Sequence, residues 1–330
     1  MIVERTSVID VTNEVIVIIE LRMNTNNMLS VIIPSYNEEE IIRKTASEVS
    51  RILNKADIEH ELIFVDDGSK DSTWARIKEL ASDNPHIHGL HFSRNFGKES
   101  AIFAGLKAAN GDCAVVIDCD LQHPPMKIPE MYLLWKEEGY EIVEAVKSDR
   151  GKESKMHSWA ANCFYRIISK VTHIDMSNTS DFKLMDRKVI TTLINMPENQ
   201  TFFRALSSWV GYKTTQIPFV VAEREAGVSK WSTLSLVKYA LTNITSFSSA
   251  PMQVVTLLGI IMLFVAIILG CIAIYQKISG IALGGFTTVI LIILLSSSII
   301  MISLGVIGYY ISKIYEEIKG RPKYIISEQV

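Results

Sequence analysis

Between about residues 29 and 146 the sequence repeats one pattern, in which a short apolar run is followed by a polar turn and an amphipathic segment. The predicted strands occupy residues 29–34, 61–65, 87–92, 114–117 and 141–146, and the first, second and fourth of them are the most apolar. Runs of this length are typical of buried strands, and the segments between them have helical spacing. Strands that alternate with helices favour βαβ units, so the pattern predicts an α/β fold with a mainly parallel sheet.

Polar or acidic residues follow three of the predicted strands. Tyr36-Asn37-Glu38 comes after the first strand, Asp66 and Asp67 close the second, and Asp118 and Asp120 follow the strand at 114–117. The carboxyl ends of parallel strands meet at one edge, which is where ligands bind in such sheets. Solvated loops would explain any one of these clusters alone. Their coincidence predicts a ligand site at that edge.

Asp118 and Asp120 are the strongest metal candidates in the chain. The Gln-His-Pro-Pro sequence at 122–125 predicts that the backbone turns directly after them. Carboxylate oxygens are hard ligands that suit Mg²⁺ or Mn²⁺, and a bound diphosphate supplies further oxygens in such sites. The alternative is that the two acids only cap a loop.

Several other classes of function are disfavoured. The formal net charge is −3, whereas nucleic-acid binders usually carry a basic face. No G-x-G-x-x-G follows the first strand, and Gly97-Lys98 lacks the upstream glycine of a P-loop. The cysteines show no zinc or disulfide spacing, which favours reduced thiols. They are Cys113, Cys119, Cys163 and Cys271.

Basic residues in two later loops are candidates for binding phosphate. Arg150 lies in a charged loop at 149–155, and Arg224 and Lys230 bracket a glycine-containing turn. Arginine binds phosphate in a bidentate manner, whereas lysine acts as a point charge. Plain exposed loops are the alternative in both places. Asp181 begins a short apolar element, and Asp186 is expected to cap the helix that follows.

Two long apolar runs, at about 254–275 and 286–311, follow the α/β region. Each is free of charge over its core and exceeds the ~20 residues that cross a bilayer, so a transmembrane hairpin is predicted at 253–312. By the positive-inside rule the flanking lysines and arginines place both ends in the cytoplasm. These basic residues are Lys230, Lys238, Lys313, Lys319, Arg321 and Lys323.

The remaining segments complete a division of the chain. Residues 28–231 are expected to form the cytoplasmic catalytic domain, and 313–330 a cytoplasmic tail. Residues 232–252 have the pattern of an amphipathic helix at the membrane interface, although a packing helix is nearly as well supported. Residues 1–27 are an extension of uncertain role with no signal-peptide pattern.

Five motifs together with the terminal hairpin give the chain a resemblance to a known family. The motifs are Pro34-Ser35-Tyr36-Asn37-Glu38, Val65-Asp66-Asp67-Gly68-Ser69, Ser93-Arg94-Asn95-Phe96-Gly97-Lys98, Asp118-Cys119-Asp120 and Leu121-Gln122-His123-Pro124-Pro125. From about residue 28 onward the chain resembles the bacterial polyisoprenyl-phosphate glycosyltransferases of glycosyltransferase family 2, relatives of dolichol-phosphate mannose synthase. The resemblance implies a GT-A domain that transfers a sugar, with inversion, from a UDP-sugar to undecaprenyl phosphate at the bilayer. It also implies a homo-oligomer, specifically a tetramer.

The resemblance carries roles to individual residues. Nucleotide binding falls to Pro34, Tyr36, Glu38, Asp66, Asp67 and Lys98, and the divalent metal falls to Asp118, Asp120 and Gln122. Arg150, Arg224 and Lys230 would receive the acceptor phosphate or the donor diphosphate. Asp181 would position the sugar or acceptor, with a base role left open. Cys119 and His123 depart from the family pattern, in which Ala and Asp are frequent, but neither departure removes a ligand.

Two alternatives remain. A processive polysaccharide synthase shares the nucleotide motifs but carries Gln-x-x-Arg-Trp, which this sequence lacks. A non-catalytic membrane scaffold would not depend on Asp118 or Asp120. Among donors, UDP-glucose and UDP-N-acetylglucosamine lead, with UDP-galactose also open, because selectivity depends on the shape of the pocket.

Overall fold

The structure is a computed structural model that describes residues 27–149, 180–198, 202–220, 250–280 and 285–330. Three predicted phosphate-binding residues, Arg150, Arg224 and Lys230, lie outside the described residues. So do the extension before Asn27, Cys163 and nearly all of the amphipathic segment at 232–252.

A single eight-stranded sheet runs in the order β7-β5-β6-β4-β1-β2-β3-β8. The central strands β4, β1, β2 and β3 are parallel, as predicted, whereas β6 and β8 run antiparallel to their neighbours. The strands are β1 Leu29–Ser35, β2 His60–Asp66, β3 Ile87–Phe92, β4 Cys113–Val116, β5 Ile142–Asp149, β6 Lys183–Asp186, β7 Thr214–Val220 and β8 Ile326–Gln329.

The described helices comprise those that connect the strands and pack against the sheet, followed by two long C-terminal helices. They are α1 Ile42–Lys55, α2 Thr73–Asp83, α3 Lys98–Ala108, α4 Ile128–Glu138, α5 Arg187–Ile194, α6 Phe203–Trp209, α7 Ala250–Ile278 and α8 Phe286–Ile318. Asp186 caps α5 as expected, because its carboxylate accepts a hydrogen bond from the Lys188 N–H at 2.9 Å.

The core lies on both faces of the sheet. Along β1, Val31 and Ile33 join one apolar cluster while Ile32 joins the other, and all three are fully buried. Successive side chains of a strand point to opposite faces, so a strand covered on both sides reads as an unbroken apolar run. This is why the central strands were recognisable from sequence.

The predicted end of β1 at Pro34 is wrong by one residue, since the strand continues to Ser35. β4 pairs with β1 only from Leu29 to Ile32, and the Ile117 N–H bonds the Ile32 carbonyl just beyond that ladder. The next position facing β4 is Pro34, where the neighbouring strand has already ended. Its missing N–H therefore removes no ladder bond.

The sequence at 35–40 offers a serine N-cap and an acidic first turn, which predict that the first helix starts there, and this prediction is wrong. The helix begins at Ile42 and has no acidic residue in its first turn. The Asn37 N–H instead donates to Ser69 Oγ at 2.8 Å, and the Glu38 N–H donates to Thr73 Oγ1 at 2.9 Å. Residues 36–41 therefore form a loop held by the loop after β2.

The two C-terminal helices, α7 and α8, are long and apolar enough to cross a bilayer. The qualifying segments are Met252–Ile278 and Leu295–Ile318, with mean hydropathies of 3.1 and 1.6. Neither is buried inside the protein, and large side chains such as Phe264 and Met301 are exposed. Apolar surface of this extent needs a nonaqueous environment or a partner, so the helices support membrane association.

Candidate functional site

The strand ends bring the predicted loops to one edge of the sheet. β1, β2 and β4 are parallel, so their carboxyl ends at Ser35, Asp66 and Val116 lie at the same edge. β6 is antiparallel to β4 and places Lys183 opposite Val116. Asp181, just before β6, therefore arrives beside the loop that carries Asp118.

Asp67 ties the loop after β2 to the loop after β3. Its carboxylate accepts hydrogen bonds from the Phe96 N–H at 2.6 Å and from the Gly97 N–H at 2.9 Å. Burial raises the pKa of Asp67, although the two N–H groups oppose that shift. Both loops belong to the motifs of the sequence analysis, and one carboxylate fixes their relative position.

Asp66 is fully buried beneath the same loops. One oxygen accepts from the Ser69 N–H at 3.1 Å and from the Ser69 hydroxyl, and the other lies 2.7 Å from His91 Nδ1. Ser69 Oγ also accepts from the Asn37 N–H. The structure thus brings the segment 34–38 and the two aspartates together at one edge of the sheet, and their role in holding a nucleoside stays a prediction.

The loop after β4 turns where the sequence predicted. Asp120 Oδ1 accepts from the Gln122 N–H at 3.1 Å, and Leu121 between them has a φ of 57°. That left-handed conformation is uncommon for a residue with a side chain and persists where the surroundings impose it. The turn reverses the chain after the two aspartates and leaves Gln122 beside Asp120.

His123 anchors this loop in the protein interior. Its ring stacks on Phe182 at 5.2 Å and meets Phe219 edge-on at 5.7 Å, and the residue is 6% exposed. Burial lowers its pKa, and its Nδ1 accepts a hydrogen bond from the Asp118 N–H at 3.3 Å. A neutral imidazole wedged between aromatic rings explains how His123 is accommodated where the family pattern favours an acid.

Four charged side chains form a compact cluster at the centre of the edge. Lys98 Nζ lies 2.5 Å from Asp118 Oδ1 and 2.8 Å from Asp181 Oδ2. Arg204 grips Asp181 from the other side, with Nε 2.7 Å from Oδ1 and Nη2 2.9 Å from Oδ2. Two cations therefore alternate with two carboxylates, and we call Lys98, Asp118, Asp181 and Arg204 the charge cluster.

The cluster controls ionisation of its acids. Burial raises the pKa of Asp181, but Lys98 and Arg204 outweigh burial and hold that pKa well below its usual range. Burial likewise opposes ionisation of Asp118, and the charge of Lys98 lowers its pKa overall. Desolvation would lower the pKa of Lys98, yet the two aspartates raise it. All three groups are charged at neutral pH.

Arg204 and Glu99 were missed by the sequence analysis. Arg204 is a lone charge in the aromatic stretch Phe202-Phe203-Arg204, which is the only signal the sequence offered. Glu99 adjoins Lys98 and accepts a hydrogen bond from the Phe203 N–H at 2.8 Å, so it holds the start of α6. Burial, followed by the nearby Asp181, raises the pKa of Glu99 to about 7.

The ammonium of Lys98 contacts Asp118 and Asp181, and its role in nucleotide binding stays a prediction. Within the described part of the chain, no three or more His, Cys, Asp or Glu side chains are grouped to hold a metal ion. Asp118 and Asp120 thus offer a partial set of hard oxygen donors. That set fits a divalent ion whose remaining ligands come from a diphosphate.

The mostly parallel sheet with its acidic carboxyl edge is a GT-A-like α/β fold, which is the class of glycosyltransferase domain that the motifs predict. The profile described as Glycosyl transferase family 2 matches residues 30–194. The chain belongs to this family, which confirms the resemblance found in its motifs.

Relatives match over nearly their whole length. The chain is 40% identical to the Prophage bactoprenol glucosyl transferase homolog of Escherichia coli (strain K12), over 90% of this chain and 98% of that protein. It is 40% identical to the Uncharacterized glycosyltransferase YkcC of Bacillus subtilis (strain 168), over 93% and 95%. A solved structure of glucosyl-3-phosphoglycerate synthase from Mycobacterium tuberculosis aligns with a TM-score of 0.48 at 21% identity, over 70% of this chain and 84% of that one.

Proposed function

We propose that the protein transfers a hexose or N-acetylhexosamine from a UDP-sugar to undecaprenyl phosphate, with inversion, to give a lipid-linked sugar for modification of a cell-envelope glycan. The observation that carries this proposal is the meeting of the segment 34–38, Asp66 to Asp67, Asp118 to Asp120 and Asp181 at one edge of a family 2 domain. The bactoprenol glucosyl transferase names of relatives that match 90% and 91% of the chain support a polyisoprenyl acceptor.

Two groups of residues at this edge of the sheet are assigned to donor binding. Pro34, Tyr36, Glu38, Asp66 and Asp67 would hold the nucleoside, since their loops are already bound to one another. Asp118, Asp120 and Gln122 would hold Mg²⁺ or Mn²⁺ with the sugar diphosphate. A bound divalent ion would supply charge stabilisation of the departing diphosphate. Lys98, from its position against Asp118, would add positive charge at the same place.

Asp181 is assigned a positioning role. A phosphate acceptor has a second pKa near ~6 and is largely a dianion at neutral pH, so it needs little deprotonation. A carboxylate whose pKa is held well below its usual range is also a weak general base. Asp181 would orient the sugar or acceptor between Lys98 and Arg204. Near-normal turnover of Asp181→Asn would remove this assignment.

The acceptor side of the proposal depends on the membrane hairpin. β8 follows α8 and pairs with β3 of the same sheet that precedes α7. A pair of spanning helices returns the chain to its starting side, so this pairing supports a two-span hairpin with both flanks on one face. The basic flank after α8 favours the cytoplasmic face. Arg150, Arg224 and Lys230 are proposed to receive phosphate there, and the tetramer implied by resemblance remains a proposal.

The test uses membranes that contain the full chain, undecaprenyl phosphate and one radiolabelled UDP-sugar at a time, namely glucose, N-acetylglucosamine or galactose. We expect label in the lipid extract with at least one donor, its loss with EDTA, and its recovery when Mn²⁺ or Mg²⁺ is added back. Asp120→Asn should abolish the product, whereas Asp83→Asn, at the exposed end of α2, should not. Absence of metal-dependent lipid product with every donor would overturn the proposal.

A further inference from the structure

The last residues of the chain form the outer strand of the catalytic sheet. In the β3–β8 ladder, Glu328 lies opposite His91 and Ile326 opposite Phe92. Gly89 and Val330 exchange two backbone hydrogen bonds at 2.9 and 3.0 Å, and the Ser93 N–H donates to the Ile325 carbonyl at 3.0 Å. Without β8, β3 would be an open edge. The strand that follows the membrane hairpin thus closes the sheet beside the segments 36–41, 66–72 and 93–97, which we call the nucleotide loops.

One line of side-chain contacts runs from this strand to Asp66. Glu328 Oε2 accepts a hydrogen bond from Trp74 Nε1 at 2.8 Å. The Trp74 ring stacks on the His91 ring, with centroids 5.0 Å apart and planes inclined by 18°. His91 Nδ1 lies 2.7 Å from Asp66 Oδ2. Three successive contacts therefore join the C-terminal strand to a fully buried carboxylate of the nucleotide loops.

A second line of contacts runs from the same segment to Asp67. Tyr324 stacks on Phe92 at 5.1 Å, and Phe92 meets Phe96 edge-on at 5.8 Å. The Ser100 hydroxyl also donates to the Lys323 carbonyl at 3.2 Å. Phe96 and Gly97 are the residues whose N–H groups hold Asp67. Both aspartates of the Asp66-Asp67 pair are therefore supported by residues 323–330.

The orientation of Asp66 matters because both of its oxygens are used. His91 occupies one oxygen, and Ser69 occupies the other through its N–H and hydroxyl. Ser69 in turn holds the Asn37 N–H. A rotation of the buried carboxylate would shift the loop after β1 together with the loop after β2, so the contact from His91 sets the geometry of both.

We propose that the C-terminal segment 323–330 positions the loops that bind the nucleoside diphosphate, with Trp74 and His91 as the positioning residues between that segment and Asp66. This inference rests on the proposed function. It links the end of the membrane hairpin to the donor site through contacts between described residues. The nucleotide site is complete only while β8 is docked on β3.

The experiment measures the dissociation constant of UDP with Mn²⁺, by isothermal titration calorimetry on the full chain in lipid nanodiscs. Trp74→Phe keeps an aromatic ring on His91 but removes the Nε1–H that bonds Glu328. We expect a roughly three- to tenfold weaker affinity for UDP, which is the range of one lost hydrogen bond. Turnover assays should show a matching rise in KM for the donor, little change in kcat, and an unchanged KM for the lipid acceptor.

Trp135→Phe is the matched control. Trp135 is 9% exposed and its Nε1 also donates to a carboxylate, Asp186 Oδ2 at 2.8 Å, but it lies on α4 away from the nucleotide loops. This variant should lower the melting temperature while leaving UDP affinity unchanged. Glu328 supplies a second pair of variants. Glu328→Ala should weaken UDP binding as Trp74→Phe does. Glu328→Gln keeps an acceptor oxygen for the Trp74 Nε1–H, so its affinity for UDP should match that of the wild type.

The outcomes separate the two proposals. Wild-type affinity for UDP in both Trp74→Phe and Glu328→Ala would overturn the positioning role and leave the proposed function standing. An equal loss in Trp135→Phe would overturn it too, because the effect would then reflect general stability. A wild-type chain that neither binds UDP nor yields lipid product would instead remove the proposed function, and this inference with it.

Discussion

Arg204 holds both carboxylate oxygens of Asp181, with Nε 2.7 Å from Oδ1 and Nη2 2.9 Å from Oδ2. The guanidinium is planar, and its two parallel hydrogen bonds fix the orientation of the carboxylate as well as its charge. Lys98 Nζ reaches the same Oδ2 at 2.8 Å. Asp181 is therefore oriented by two cations, which is the arrangement expected of a positioning group.

Arg204→Lys tests the value of that orientation. Lysine keeps the positive charge but lacks the two parallel N–H donors of the guanidinium. Asp181 therefore stays ionised, while the plane of its carboxylate is no longer fixed. We expect kcat to fall by about tenfold to a hundredfold, in line with the cost of a misplaced reacting geometry. Turnover in the lipid-product assay is the measurement. Arg76→Lys, on the exposed face of α2, should retain wild-type turnover, and wild-type kcat in Arg204→Lys would contradict the role.

Lys98→Met tests the central cation of the charge cluster. The change leaves Asp118 and Asp181 without the ammonium between them, so it should destabilise the fold at pH 7. Because 42% of the Lys98 side chain is exposed, solvent screens the pair, and we expect a loss of about 1–2 kcal/mol. Lys107→Met, at an exposed position of the same helix, is the control and should cost little.

The loss of stability in Lys98→Met should also depend on pH. Asp181 and Asp118 have lowered pKa values in the fold, so their stabilisation is present above the unfolded value near ~3.9 and is lost as pH falls through the folded values. The difference in melting temperature between wild type and Lys98→Met should be large at pH 7 and shrink below about pH 4. A difference that stays constant with pH would show that Lys98 acts through packing alone.

The parts of the fold that sequence predicted are those with strong local signals. β1, β2 and β4 were recognisable because burial on both faces leaves largely apolar runs, and the hairpin because α7 is far more apolar than a soluble helix requires. β8 has no such signal. Its sequence is Ile-Ser-Glu-Gln, all four residues are exposed, and it becomes a strand only because β3 offers an unpaired edge.

The same distinction between local sequence signals and tertiary contacts applies to the residues of the candidate site. Asp66, Asp67, Asp118 and Asp120 were found because they end strands, whereas Arg204 was not, since α6 follows no strand and reaches Asp181 only in three dimensions. Trp74 is similar, because its partner Glu328 is 254 residues away. The contacts of Lys98 with Asp118 and Asp181 also depend on tertiary structure, because its motif alone indicated neither partner.

Glu99 gives a prediction near neutral pH. Burial, followed by the charge of Asp181, raises its pKa to about 7. A raised pKa contributes stability that is fully present below the unfolded value near ~4.3 and is lost as pH rises through about 7. Glu99→Gln keeps an oxygen for the Phe203 N–H and cannot ionise. We expect its melting temperature to change less than that of the wild type between about pH 5 and pH 8.

Differential scanning calorimetry across that range is the measurement for Glu99. Glu130→Gln, at a half-exposed site on α4, is the control, and its melting profile should follow the wild type. Parallel profiles for Glu99→Gln and the wild type would mean that Glu99 ionises at its ordinary pKa and that its burial is relieved in solution.

Gly68 joins the loops after β2 and β3 by a close backbone approach. Its φ is +67°, and a Cβ added there would lie 2.4 Å from the Arg94 carbonyl carbon. Gly68→Ala therefore combines the cost of a left-handed alanine, about 1–2 kcal/mol, with a backbone clash that must displace the loop after β3. Gly139→Ala is a close control, because Gly139 has a φ of +65° and nothing within 4 Å of the added carbon.

Both the Gly68→Ala and the Gly139→Ala variant should lose stability in chemical denaturation, Gly68→Ala by the larger amount. Only Gly68→Ala should weaken UDP binding, since displacing Arg94 also moves the Phe96 and Gly97 N–H groups from Asp67. Equal losses of stability in the two variants, with unchanged UDP affinity, would show that the two loops do not depend on this contact.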